Sequence, residues 1–173
     1  MTSDARPAAE IAGRPFRFEP HHCFACGELN ANGLHLELHS GLDGCQTELT
    51  LDPRFQGWEG VAHGGILCTI LDEVMAWSVI GRGTWGVTAR MAVDFRRPVS
   101  VGRAIRAEGE VTETSRRLFR TTGRIVDLET GETLATAEGT YVAVPPERLA
   151  DLQARYGLRP VDAGIDLPDT VDQ

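Results

Sequence analysis

Lysine is missing from this chain. All 17 basic residues are arginine, so neither a Schiff-base lysine nor the lysine of a Walker-A phosphate loop can be present. Positive charge is also scarce: against 25 acids those arginines leave a net charge of −8. That disfavours a general nucleic-acid binder or a protein held to an anionic membrane surface. No apolar run approaches the ~20 residues of a membrane-spanning helix. Met1 to Glu19 contains no apolar core of a secretory leader, so a cytoplasmic location is expected. The four cysteines are then expected as free thiols, not as a disulfide framework. No internal repeat is visible. A length of 173 residues is one domain's worth, and 42% hydrophobic with 24% charged residues is ordinary for a globular chain.

What is present is mostly period-two patterning between two irregular ends. Residues 1–21 read as a flexible lead-in rich in Ala, Pro, Arg and Glu. After Pro145-Pro146 a short helix is expected over Glu147–Tyr156, closed by Gly157. Residues 158–173 form an acidic tail with four Asp, expected to be disordered. The domain is therefore placed at 22–157. Within it Cys45, Thr47, Leu49 and Leu51 alternate with polar residues, as do Val87, Ala89, Met91, Val93 and Phe95. Further strand-like runs cover 34–40, 104–113, 118–128 and 133–144. Gly41–Gly44 and Glu129–Glu132 read as hairpin turns, and Pro98 ends a strand. One segment differs. His63–Ile80 has apolar residues at 66, 67, 70, 71, 74, 75 and 77, the spacing of a helix with a wide buried face, and Gly81 stands at its C-terminal cap. A single apolar helix among about six antiparallel strands predicts an α+β fold in which a curved sheet wraps the helix.

Two features of that helix go beyond packing. Gly64-Gly65 opens it although glycine costs roughly 1 kcal/mol against alanine in a helix. Bare glycines give access to the free N–H groups of the first turn, at the positive end of the helix dipole, where an oxyanion is stabilised. The alternative is simple flexibility or tight packing. Asp72-Glu73 interrupts the apolar stretch two turns further on. Both could lie on a narrow solvent stripe, which suits Glu73. Asp72, flanked by Leu71 and Val74, is the better candidate for a partly desolvated general base.

His63-Gly64-Gly65 followed by Asp72, inside an "LDE" helix, resembles the thioesterase superfamily of hotdog proteins, closest to its phenylacetate-degradation branch. CFACGELNANGL at 23–34 is similar to the "CFxCG…NxxGL" opening of one clade of that branch. FQGWEGVAHGG at 55–65, TARMAVDFRRPVSVG at 88–102 and ETGETLATAEGTYV at 129–142 extend the resemblance over about residues 22–145. It implies hydrolysis of an acyl thioester, usually an acyl-CoA. By position, Asp72 is then the carboxylate that activates water or attacks directly, and Gly64 offers its amide to the thioester oxygen. Gly65 belongs to the same substrate-binding turn. His63 shapes the loop, and Thr88 holds the attacking water. The strand reading puts Thr88 and Arg90 on one face. Many relatives carry Asn or Gln six residues before the histidine. Here that residue is Gly57, with Gln56 one place earlier as a substitute.

Gly64 and Asp72 are eight residues apart, ~12 Å along a helix. An oxyanion donor and a base acting through one water span only about half that. One chain cannot bring both to the same carbonyl, so a two-fold dimer with shared sites is expected. The resemblance implies the same, often as a dimer of dimers. Nine arginines but four acids lie between 90 and 124, and guanidinium groups suit the phosphates of CoA. Pairing across the sheet is the ordinary alternative for any one of them. The resemblance favours Arg90, Ser100, Arg116 and Arg117 as CoA contacts. Trp58, Trp77 and Trp85 are candidates to line the acyl group, or simply core.

HHCFACG places His21, His22, Cys23 and Cys26 within six residues. CxxC is half of a zinc site, but His35, His39 and Cys45 match no standard spacing for the other half. Gly27 and Asn30 argue for a turn and not the helix start of a redox CxxC. No metal and no cofactor is expected, and Cys68 is expected to be buried and inert. Two other functions compete with hydrolysis. A hotdog hydratase or dehydratase is expected to show a His–acid pairing within its helix, and a non-catalytic acyl-CoA-binding module should not keep the acid at 72.

Overall fold

The segment of densest apolar character forms the long helix at the centre of the fold. The computed structural model describes residues 9–11 and 14–160. Two short strands, β1 (Ala9–Ile11) and β2 (Arg14–Arg17), are followed by β3 (His39–Gly41), β4 (Gly44–Thr50), β5 (Gln56–Trp58) and β6 (Val61–Ala62). Then come α1 (Gly64–Ile80), β7 (Gly86–Phe95), β8 (Ala104–Ser115), β9 (Leu118–Asp127), β10 (Thr133–Ala143), α2 (Pro146–Arg155) and β11 (Arg159–Pro160). Six strands make one antiparallel sheet in the order β3-β4-β8-β9-β10-β7. This is the hotdog fold. Its α1 buries Leu67, Ile70, Leu71, Val74, Met75 and Trp77 against the sheet, the positions read from the sequence, with Ile66 only partly covered.

The helix can lie hard against the sheet because the strands beneath it are thinned by glycine. A Cβ on Gly109 of β8 would sit 2.6 Å from the Val74 backbone. Gly123, paired with Gly109 across β8 and β9, faces Met75 and Leu71. Inward residues Thr47, Ile105, Ala107, Ile125, Ala137 and Tyr141 complete the core.

Three expectations need correction. The run 34–40 is strand only from His39; Leu34 and Leu36 instead donate backbone N–H bonds to Phe24 and Ala25 of the cysteine turn (2.8 and 2.9 Å). In β7 the register against β10 slips between Thr140 and Tyr141, so that Arg90 pairs with Thr140 and Thr88 with Tyr141, leaving Ala89 over. This bulge reverses the alternation. Thr88 faces the helix, as Met91, Val93 and Phe95 do beyond the bulge, whereas Val87 and Arg90 lie on the outer face. Thr88 and Arg90 therefore do not share a face, and Val87 is 61% exposed. Cys68 is half-buried, not fully enclosed.

Of the lead-in, the described residues are β1, β2 and the irregular stretch 18–21, and β2 also pairs with β11. Residues 161–173 of the acidic tail lie outside the described residues. Helix α2 matches its expected span within a residue at each end. Among the described residues no helix is long and apolar enough to cross a membrane.

Candidate active site

At the mouth of α1, His63 is the N-cap residue, and its Nδ1 accepts the Gly65 N–H at 2.9 Å. The His63 carbonyl accepts from Ile66 (2.9 Å) and Leu67 (3.3 Å), and the His63 amide donates to Phe55 (2.9 Å). Of the first-turn amides, Gly64 alone has no acceptor among the described residues. The ring of Phe95 lies beside it, where a Cβ would stand 3.4 Å away. Gly57 packs against His63 so closely that a Cβ there would come within 3.2 Å of the His63 Cα. A larger side chain at Gly57 would displace His63, which gives this departure from the relatives' pattern a local reason. Gln56 does not point at the helix mouth: its Oε1 accepts the Gly60 N–H at 3.0 Å and closes the turn before β6.

Eight residues along the same helix stands Asp72. Its Oδ1 accepts two hydroxyl hydrogen bonds, from Thr88 Oγ1 and from Tyr141 Oη, both at 2.8 Å. Thr88 and Tyr141 are cross-strand neighbours at the bulge, so one pair of residues aims both donors at one oxygen. Oδ2 has no protein donor among the described residues. Tyr141 is fully buried. Burial pushes its hydroxyl well above the ordinary phenol range, and the neighbouring Asp72 charge adds to this, so Tyr141 remains a donor at any physiological pH.

A thioesterase-superfamily family profile matches residues 59–134. A solved protein described as a thioesterase superfamily protein superimposes with a TM-score of 0.65 at 27% identity, covering 70% of this chain and 60% of that one. This chain thus spans less than two thirds of that relative's length. The chain is similar to the thioesterase superfamily over the helix and the strands that follow it, and it shares the hotdog fold. The fold is shared with the E. coli PaaI protein of the phenylacetic acid degradation operon, at TM-score 0.59 and 22% identity, covering 63% of this chain and 83% of that one. It is also shared with a hypothetical thioesterase with coenzyme A from Streptococcus pneumoniae, at TM-score 0.59 and 23% identity, covering 63% and 85%. No protein of curated function matches the chain.

The arginines of this chain divide. Arg97 pairs with Glu132, Arg103 with Asp127 and Glu129, Arg106 with Glu48 and Glu108, Arg120 with Glu113, and Arg124 with Glu108. Arg117 donates to the Ala143 carbonyl (2.9 Å). Arg90, Arg96 and Arg116 have no side-chain partner among the described residues, and Arg116 sits at the β8–β9 turn with φ +51°. Ser100 is exposed, bridging to Val61. Trp77 and Trp85 pack on Phe18 (ring centroids 5.1 and 5.8 Å); Trp77 belongs to the core and Trp85 is half-buried, while Trp58 is 86% exposed.

Two residues carry roles the sequence reading did not give them. Tyr141 was legible only as an inward position of a period-two strand, a phase in which a buried tyrosine needs a partner for its hydroxyl. Glu73 does not lie on a solvent stripe. It is half-buried, accepts the Trp77 Nε1–H at 3.0 Å, and has a carboxylate oxygen within 4.8 Å of the Cys23 and Cys26 sulfurs. Burial lifts its carboxyl to about 7. The side-chain hydrogen bond from Cys26 holds Cys23 down to about 5, and the same bond, with burial, pushes Cys26 up. His35, His39 and Cys45 do not join this group.

Proposed function

We propose that this chain is an acyl-CoA thioesterase, acting as a dimer with Asp72 as the reacting carboxylate. The observation that carries the reading is the doubly held Asp72 Oδ1, which leaves Oδ2 as the oxygen able to take a proton from water or to attack the thioester carbon. Two fixed donors lock the carboxylate's orientation, which is the positioning a general base or nucleophile requires. The free Gly64 amide supplies the complementary half, an N–H at a helix N-terminus for the oxygen that becomes negative in the tetrahedral intermediate. With water as the nucleophile, the proton taken up by Asp72 passes to the departing CoA thiolate; with direct attack, the C–S bond breaks as an acyl–Asp72 anhydride forms, and the water that then hydrolyses the anhydride supplies the proton the thiolate takes up.

These halves lie ~12 Å apart on one rigid helix, so they serve different carbonyls unless a second copy faces the first. The unpaired edge of β7 supports that arrangement. It runs past the helix mouth and exposes Val87 and Phe95 (61% and 54%), an edge of the kind a second strand covers. Two-fold pairing there sets Gly64 of one copy opposite Asp72 of the other. Arg90, Arg116 and Arg117, with Ser100, are the proposed contacts for the phosphates of CoA. A hydratase reading lacks support, since the His63 ring accepts from a backbone amide and meets no carboxylate among the described residues.

Release of free thiol from a panel of acyl-CoAs tests the proposal. Asp72→Asn is expected to lower kcat by about 10²–10⁴-fold, the span of a lost general base, while substrate still binds. Hydrolysis that survives the substitution, or water addition to an enoyl-CoA without hydrolysis, overturns it.

A further inference from the structure

The CFACG turn takes no part in the thioester chemistry, yet the fold seats it on the helix that carries Asp72. Its two thiols come from a segment with no regular secondary structure between β2 and β3. The third group, Glu73, arrives from the middle of α1, a juxtaposition no sequence spacing shows. We infer that Cys23, Cys26 and Glu73 form a three-ligand site for a thiophilic divalent cation of the zinc type, tying the loop at 23–36 to α1.

Geometry carries the inference first. The two sulfurs and the carboxylate oxygen all lie within 4.8 Å of one another. Around a tetrahedral zinc, bonds of ~2.3 Å to sulfur and ~2.0–2.2 Å to oxygen separate the ligand atoms by ~3.5–3.8 Å. The three donors therefore need to close by about 1.3 Å at most. The loop is built to hold both thiols on one side. Gly27 N–H donates to the Cys23 carbonyl at 3.0 Å and Leu29 N–H to the His21 carbonyl at 3.1 Å. The chain turns so tightly that a Cβ on Gly27 would collide with the Cys23 amide and the His21 carbonyl. Only glycine can follow the second cysteine here.

Chemistry points the same way. Glu73 has no arginine or histidine ion pair among the described residues, and its neighbours in this space are thiols, Asp72 and the Trp77 indole. A carboxylate taken out of water without a cation is costly, and a divalent ion shared with two thiolates removes that cost. The Trp77 N–H fixes the carboxylate's orientation, as outer groups orient metal ligands. A donor set of two sulfurs and one oxygen selects zinc-like ions over magnesium or calcium, which take oxygen alone. Binding is not a redox step. The two thiol protons leave to solvent, each ligand contributes a lone pair, and water completes the fourth position.

Zinc analysis and Co²⁺ titration of the full chain test the site, and neither depends on thioesterase activity. The wild-type chain, isolated under reducing conditions with zinc supplied, is expected to hold one ion per chain. Co²⁺ should give a thiolate-to-cobalt charge-transfer band and the visible bands of a four-coordinate ion. Loss of outer-shell partners alone weakens metal sites ~10–100-fold, so the near-isosteric Glu73→Gln should weaken Co²⁺ binding at least about tenfold. Cys23→Ser and Cys26→Ser should abolish the charge-transfer band. A wild-type chain that keeps no metal and gives no such band overturns the inference without any variant having to fold. So does Glu73→Gln binding Co²⁺ as tightly as wild type, or a Cys23–Cys26 disulfide in chain isolated anaerobically.

Discussion

A carboxylate inside an apolar helix is tolerated here because two hydroxyls meet it. Thr88 and Tyr141 both donate to Asp72 Oδ1, and a hydrogen bond to a charged group contributes about 1.5–3 kcal/mol. Removing either donor while keeping its shape, by Thr88→Val or Tyr141→Phe, should lower kcat by roughly 10–100-fold and leave KM for acyl-CoA nearly unchanged. Steady-state kinetics on the two variants decides this. Equal effects on kcat and KM would mean that the donors hold substrate and not the carboxylate. At this scale Asp72 and Gly64 stood out because each breaks a local rule: an acid in an apolar face, glycine opening a helix. Thr88 was marked only by the resemblance, as a holder of water, and its hydroxyl instead meets Asp72. Tyr141 breaks none, and its partner is 69 positions away, so its role had no local signal. Glu73 was misread for a related reason. Helical periodicity tells which side a residue faces but not whether a loop from elsewhere covers that side.

Helix and sheet meet through missing side chains. Gly109→Ala puts a Cβ 2.6 Å from the Val74 backbone, which neither element can relieve by a rotamer change. Overpacking of this kind costs typically 1–3 kcal/mol, and a fall in Tm should report it without altering the chemistry of Asp72. The β9–β10 turn is held differently. Asp127 Oδ1 accepts from the Glu129 and Thr130 amides, both at 2.9 Å, and from Arg103. The Thr130 and Glu129 amides, with the Arg103 charge, hold its carboxyl below the usual range, against a smaller opposing effect of burial. A lowered folded-state value means that the ionised form stabilises the fold above the unfolded pKa, and that this contribution disappears as pH falls through the folded value. Asp127→Asn should therefore lower the urea midpoint at pH 7, with the gap to wild type closing as the pH drops below about 4. A gap that stays constant down to pH 2 would show that the carboxylate's charge is irrelevant. The helix and most strand spans followed from period and caps, but the run 34–40 did not, since Leu34 and Leu36 pair with the cysteine turn. The bulge at Ala89 did not, because an unpaired residue is defined only by the strand opposite.

For the whole molecule, the rigid spacing of Gly64 and Asp72 makes the dimer a requirement of the proposed chemistry. Mixing Asp72→Asn chains with chains whose Gly64 amide is blocked by Gly64→Pro should restore about one working site per heterodimer. Activity of the mixture that stays at the level of the two inactive parents would sink the shared site. The matching control is wild type mixed with either variant, which should dilute in proportion to chain ratio.

The sequence alone determined the apolar helix, the six strands and the place of an acid eight residues beyond a bare amide, because these depend on short-range periodicity and on the conformational cost of glycine. Tertiary structure alone decided which hydroxyls reach Asp72, which arginines are already spent on glutamates, and that Glu73 meets two cysteines. Those are contacts between segments distant along the chain, and they exist only once helix, sheet and loop have closed on one another.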